Sequence, residues 1–349
     1  MIPREYRAVG GAVVLFLLIQ LGALALVQTF FDQGYQAVEN PEDPTNSLWY
    51  FGAILVATLG FLAAFKYNLD WIVRVVIVGT SGLLSWYVFS AILPMIPAVF
   101  FGSAVAIALW VYPEWYVINT AGVLMGAGAA GLFGITFGIL PALLLLTVLA
   151  VYDAISVYKT EHMLDLADGV MDLRIPAILI IPLTLSYSIL DDTAQDDTTD
   201  NQAEPAEEAT ESTDETEHRD TADLETDADK TDDAEGDGTE DDDAENDGSR
   251  DVFFIGLGDA VIPGVLIASA AFFSPAPQLA VPMIELNLPA LVALVGTTVG
   301  LLILMRMVMK GRAHAGLPLL NGGAIGGYLL GSLWAGIPLL EALGVAGVF

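Results

Sequence analysis

The chain has 349 residues, 55% of them hydrophobic, with a mean hydropathy of +0.62, yet its formal net charge is −31. Apolar content and charge of that size cannot share one surface, so an ordinary soluble domain is excluded and an integral membrane protein is expected. Cysteine is absent, which excludes disulfides and cysteine-based metal sites.

In chain order, residues 1–158 carry apolar stretches at 9–31, 48–65, 71–89, 92–112, 118–136 and 138–158. Runs of about 20 such residues span a hydrocarbon core of about 30 Å as helices. The first follows Arg4 and Arg7 and contains Ala23-Leu24-Ala25, a small-x-small cleavage pattern. Its length nevertheless predicts a retained span instead of a signal peptide. Residues 71–112 and 118–158 are continuous apolar blocks, split only by Pro94 and Pro97 in one and by Gly134, Gly138 and Pro141 in the other.

Residues 159–190 predict an amphipathic helix, with Met163, Leu164, Leu166, Ala167, Val170 and Met171 on one face. An extended apolar segment carrying Pro176 and Pro182 follows at the inner surface. Residues 191–251 hold 28 of the 43 acidic residues against three basic ones, Arg219, Lys230 and Arg250. Such a stretch cannot bury enough apolar surface to offset chain entropy, so a disordered loop is expected, serving either as a solvated tether or as an interaction segment. Its carboxylate density suggests a proteome adapted to high salt, as in a halophilic archaeon. Residues 252–349 supply three more spans, at 252–273, 288–309 and 315–340.

The basic residues fix the count and direction of the spans. With nine spans and the N-terminus inside, all 12 Lys and Arg residues fall on the inner side. Merging either apolar block into one span puts several of them outside, against the positive-inside bias. The expected architecture is an all-α polytopic membrane protein of nine transmembrane helices. It lies in the cell membrane with the N-terminus and acidic loop cytoplasmic and the C-terminus outside.

Ionisable side chains within spans are costly and functional as a rule. Two stand out, Asp153 in Ala150-Val151-Tyr152-Asp153-Ala154 and Asp259 in Gly256-Leu257-Gly258-Asp259. Asp153 lies six residues before Lys159, about 9 Å from the inner surface by helical rise; Asp259 lies eight residues after Asp251, about 12 Å by the same rise. Two carboxylates at one depth on adjacent antiparallel spans cannot both ionise in a low dielectric, so one keeps its proton. The ionised member takes a proton from water while the protonated one polarises a carbonyl and later serves the leaving amine, which is aspartic-protease chemistry without metal or cofactor. Gly256 and Gly258 remove bulk beside Asp259 and admit a substrate backbone or a neighbouring helix. Alone, a membrane aspartate or a Gly-x-Gly also serves helix packing. Tyr152 either orients Asp153 or packs as an aromatic.

Tyr152-Asp153 followed by Gly256-Leu257-Gly258-Asp259 resembles the signature of intramembrane aspartyl proteases, the presenilin and signal peptide peptidase group, and the inside N-terminus is similar to that of presenilins. The resemblance implies nine spans, a large loop between the sixth and seventh, and a Pro-Ala-Leu-Pro motif lining the site at the ninth. Here that motif reads Ala315-Gly316-Leu317-Pro318, so the Leu-Pro half matches and Gly316, Leu317 and Pro318 are the implied supporting residues. It further implies that the extended stretch holding Ile175-Pro176 and Ile181-Pro182 pairs with an unwound substrate as an added strand. The expected substrates are transmembrane-helix proteins or signal peptides in the lipid bilayer, with no nucleic acid, no metal and no obligate partner subunit implied. Two other classes fit some features. A proton- or cation-coupled transporter would use the paired carboxylates but should show related halves, which are not evident. A membrane scaffold would use the acidic loop but leaves the matched aspartates unexplained.

Overall fold

The computed structural model describes residues 4–159, 176–183, 187–188, 252–309 and 316–345. The amphipathic helix expected at 161–172 and the acidic stretch at 191–251 lie outside these residues. Six helices come first: α1 (Arg4–Asp32), α2 (Thr45–Lys66), α3 (Asp70–Ser90), α4 (Met95–Val111), α5 (Trp115–Thr136) and α6 (Ile139–Lys159). Two strands follow, β1 (Ile178–Pro182) and β2 (Val252–Gly256), then α7 (Leu257–Phe273), α8 (Leu288–Val308), α9 (Gly316–Trp334) and the short α10 (Leu339–Ala342). The protein is a helical polytopic membrane protein, with one small sheet among the described residues. Among the described residues six helices, α1, α2, α3, α5, α6 and α8, are long and apolar enough to cross a bilayer, and α4 and α7 are apolar but shorter at 17 residues each.

The breaks inside the two apolar blocks are real. Pro94 stands extended before α4, and Phe137 is extended between α5 and α6. Gly138 then donates its N–H to Pro41 O at 2.7 Å, so close that a Cβ there would come within 2.9 Å of the same oxygen. The ninth predicted span, by contrast, is shorter than expected. Helix α9 stops at Trp334, where Gly336 adopts φ +80° and Ile337 and Gly336 donate back to Ser332 and Leu333. That pattern satisfies the last carbonyls and turns the chain.

Helix α5 is the centre of the packing because its small residues let neighbours approach. Gly122 lies against Leu179 of β1, Gly126 against Ile19 of α1, and Gly134 against Ala268 of α7. Helices α8 and α9 meet backbone to backbone. Gly296 and Gly300 of α8 and Gly323, Gly327 and Gly331 of α9 each face the opposite main chain with no room for a Cβ. Spacings of four residues on both helices form the small-residue stripe that holds membrane helices together where apolar burial gives no net drive. Buried amides add to this: Asn321 donates to Leu146 O of α6 at 3.0 Å, and Asn287 caps α8 while donating to Ala270 O at 2.8 Å. Helix α2 is the opposite case, with Ser47 its only buried residue.

One predicted element changes type. Residues 252–256 were expected to open the seventh span as helix, and they form β2, antiparallel to β1 with Ile180 opposite Phe254. Val-Phe-Phe-Ile is β-branched and aromatic, and a continuous apolar run does not reveal its period. The chain passes from strand to helix at Gly256, and the Leu257 N–H still bonds Ala177 O at 2.8 Å.

Candidate active site

Asp153 sits in the C-terminal half of α6. The turns before it are buried through Leu145, Leu146 and Leu149, while Val151, Tyr152 and Ile155 around it are exposed, leaving Asp153 half-buried at the margin of the core. Asp259 is the third residue of α7, where no helix separates it from the strand by more than one turn. The eight helical residues from Asp251 on which the expected depth of Asp259 rests are not formed: five of them, Val252–Gly256, are strand. What sets its position is the sheet, through β2 and the Leu257 bond to Ala177.

The two carboxylates converge on one short segment, the start of α9. Leu317 donates its N–H to Asp153 Oδ2 at 3.2 Å. One residue earlier, a Cβ on Gly316 would lie 3.0 Å from Asp259 Oδ2 and 3.4 Å from its Cγ. Sequence chemistry explains why this turn can serve. The first N–H groups of a helix have no partner inside it, so Leu317 has a donor to give. Pro318 has no N–H to leave unpaired, and the positive end of the helix favours a carboxylate beside it. Gly316 lets Asp259 approach the backbone of the same turn. A Cβ on Gly256 would also reach Asp259 Oδ2, at 3.5 Å, so a glycine stands on each side of this carboxylate.

The other predicted residues divide. Leu257 is buried in the cluster formed by Ile181, Ala260, Leu304 and Leu320, and supports the strand-to-helix corner. Gly258 is exposed, and a Cβ there would meet only Ile262 Cδ1, at 3.9 Å, so it leaves an opening next to Asp259. Pro318 is half-buried in the first turn of α9. Tyr152 is not drawn into the site; the residue is 44% exposed and its ring packs edge-on to Phe51 of α2 at 6.1 Å. Pro263, four residues past Asp259, lies inside α7 and withholds the hydrogen bond that the Asp259 carbonyl would otherwise receive, loosening the turn that carries it.

Two features escaped a search confined to ionisable groups. Asn119 of α5 is buried and bonds both backbone groups of Ile180: Nδ2 donates to Ile180 O at 2.6 Å, and the Ile180 N–H donates to Oδ1 at 2.8 Å. Asn321, one turn beyond Leu317, ties α9 to α6. A polar amide inside an apolar span was the available signal for both.

The family model for signal-peptide peptidase, presenilin aspartyl protease, matches residues 13–337. Among solved structures the chain is similar to a presenilin family intramembrane aspartate protease in two crystal forms. In the C222 form the identity is 27% over 93% of this chain and 99% of that one, with a TM-score of 0.59. In the P2 form the identity is 27% over 93% of this chain and 97% of that one, with a TM-score of 0.53. No curated protein matches the chain.

Proposed function

The chain belongs to the signal-peptide peptidase and presenilin family and is an intramembrane aspartic protease, and from that premise we propose that Asp153 and Asp259 are its catalytic pair. The observation that carries this is their convergence on Gly316 and Leu317, from positions 106 apart in sequence on two helices. In the proposed cycle one carboxylate is ionised and removes a proton from a water molecule as that water attacks the scissile carbonyl carbon. The other is protonated and donates a hydrogen bond to the carbonyl oxygen as charge develops there. Collapse of the tetrahedral intermediate breaks the C–N bond, and the proton taken from water passes to the leaving amine. Leu317 holds Asp153 by its N–H, while Gly316 leaves space for Asp259 and for the reacting backbone.

The substrate class is a transmembrane segment, and we assign to it helical membrane proteins or signal peptides. A helix hides its amides from attack, so the segment must unwind, and a strand edge captures the exposed backbone. Sequence resemblance attached this role to the stretch ending at Pro182; the pairing favours β2 instead. Ile180 directs its N–H and C=O at Asn119, away from β2, so Ile180 and Phe254 are a non-hydrogen-bonded pair and Phe254 directs its own groups outward. Phe254 is 51% exposed, and Gly256, whose exposure is its backbone, is open as well. A strand added there ends within three residues of Asp259. In the bilayer we assign nine crossings with the N-terminus and the loop after α6 cytoplasmic and the C-terminus outside, on the one-sided distribution of Lys and Arg.

Asp153→Asn and Asp259→Asn, purified with intact helical content, should each lose cleavage of a membrane-anchored helical substrate by at least about 10⁴-fold, as expected when a group that exchanges protons with the reacting atoms is removed. Cleavage at the wild-type rate by either variant would remove that residue from the pair.

A further inference from the structure

The two edges of the β1–β2 pair are not equivalent. On β1 the outward phase consists of Ile178, Ile180 and Pro182, because Ile180 turns its backbone groups away from β2. Pro182 has no N–H to offer, and proline belongs on strand edges for that reason. Both Ile180 groups are taken by Asn119, whose side-chain amide copies the donor and acceptor of a peptide unit. Asn119 is 7% exposed, so this bond pair competes with little water. One turn earlier on the same helix, Trp115 Nε1 donates to Tyr187 O at 3.1 Å, and Glu114 Oε1 accepts from the Ser188 hydroxyl at 2.7 Å. Helix α5 thus grips β1 and the chain beyond it. The grip on Ile180 is the one that acts on the ladder.

We propose that Asn119 is a positioning residue: it closes the outer edge of β1 and pins the register of β1 against β2, so that an unwound substrate adds only to β2 and in one register relative to Asp259. The proposal rests on the protease assignment of Asp153 and Asp259. The link from Asn119 to the chemistry is short. Asn119 holds Ile180, Ile180 lies opposite Phe254, and Phe254 is five residues from Asp259 through a strand that runs directly into α7. A slip of this strand pair would be by two residues, since a slip of one would turn every side chain to the wrong face.

The test uses the full-length chain and two readouts, one independent of activity. The chain has no cysteine, so an Ile180→Cys/Phe254→Cys pair is unique. In a non-hydrogen-bonded antiparallel pair the Cα atoms are about 4.5 Å apart, within disulfide range. With Asn119 present this pair should oxidise efficiently and Ile180→Cys/Val252→Cys should not. With Asn119→Leu the second pair should oxidise too. Against a helical substrate, Asn119→Leu should raise KM about tenfold, as expected for the loss of two buried hydrogen bonds. It should also spread the cleavage sites by two residues while an aspartyl-protease transition-state analogue still labels the enzyme. Ser269→Ala, which removes a buried bond to Phe137 O far from the sheet, should lower Tm without moving the cleavage sites.

An Asn119→Leu enzyme with the wild-type cross-link pattern and a single cleavage site overturns the proposal. So does one that loses analogue labelling together with cleavage, since Asn119 would then be general scaffold. If Asp153→Asn and Asp259→Asn both retain cleavage, the catalytic assignment fails, and the cross-link pattern alone still decides whether Asn119 sets the register.

Discussion

The two aspartates are housed by different means. Asp153 rides on a continuous 21-residue helix and is fixed laterally, by a hydrogen bond from the first turn of α9. Asp259 stands at a corner where a strand becomes a helix, fixed by the sheet before it and by glycines on either side. One carboxylate depends on a donor, the other on empty space. A site made from two unlike mountings can be taken apart one mounting at a time, and the turn Gly316-Leu317-Pro318 is where both are exposed to substitution.

The largest separable effect is expected on the Asp259 side. Gly316→Val forces a branched carbon toward the carboxylate, and cleavage should fall about 100-fold or more, since misplacing a reacting group by about 1 Å costs that much. Gly316→Ala restores the residue that the family motif carries, and Asp259 need only yield by a few tenths of an ångström from a 3.0 Å approach. Its kcat should fall by less than about tenfold on the same geometric scale. Equal losses for valine and alanine would show that space is not what Gly316 supplies.

On the Asp153 side, Leu317→Pro removes the N–H in a turn where the helix itself does not need it, and replaces a half-buried side chain as well. Loss of one charge-assisted bond should lower kcat about tenfold or somewhat more, with KM little changed. A change confined to KM would place Leu317 in substrate contact instead. The smallest effect is expected at Tyr152. Its ring packs on Phe51 at the exposed side of α6, so Tyr152→Phe should keep cleavage within about twofold of wild type, as usual for substitutions away from buried features. A larger drop, with unchanged Tm, would return Tyr152 to the site.

How much of this was legible in the sequence follows from what kind of signal each part leaves. Asp153 and Asp259 were visible because carboxylates in apolar spans are costly and these two stand together in a motif, and Gly316, Leu317 and Pro318 because they stand in another. The depth of Asp259 was not, since Val252 to Gly256 extends an apolar run whose strand and helix forms look alike without periodicity. The chain supplied a partial warning in its β-branched and aromatic residues. Asn119 was hidden for a different reason. It carries no charge, and only its placement opposite Ile180 reveals that it completes a strand edge. The glycines of α8 and α9 were readable as small residues, but which of them would meet depends on crossing geometry that spacing alone does not give.

The central claim is that Asp153 and Asp259 act as one unit. The most direct measurement is the affinity of a non-cleavable transition-state analogue for the wild-type protein, for Asp153→Asn, for Asp259→Asn and for the double variant, each in the same membrane mimic. Groups that work as a pair show strongly non-additive losses, so each single variant should weaken binding by about 100-fold or more and the double variant by no more than either single. Independent losses that multiply in the double variant, or a single variant that binds the analogue as tightly as wild type, would contradict the pair.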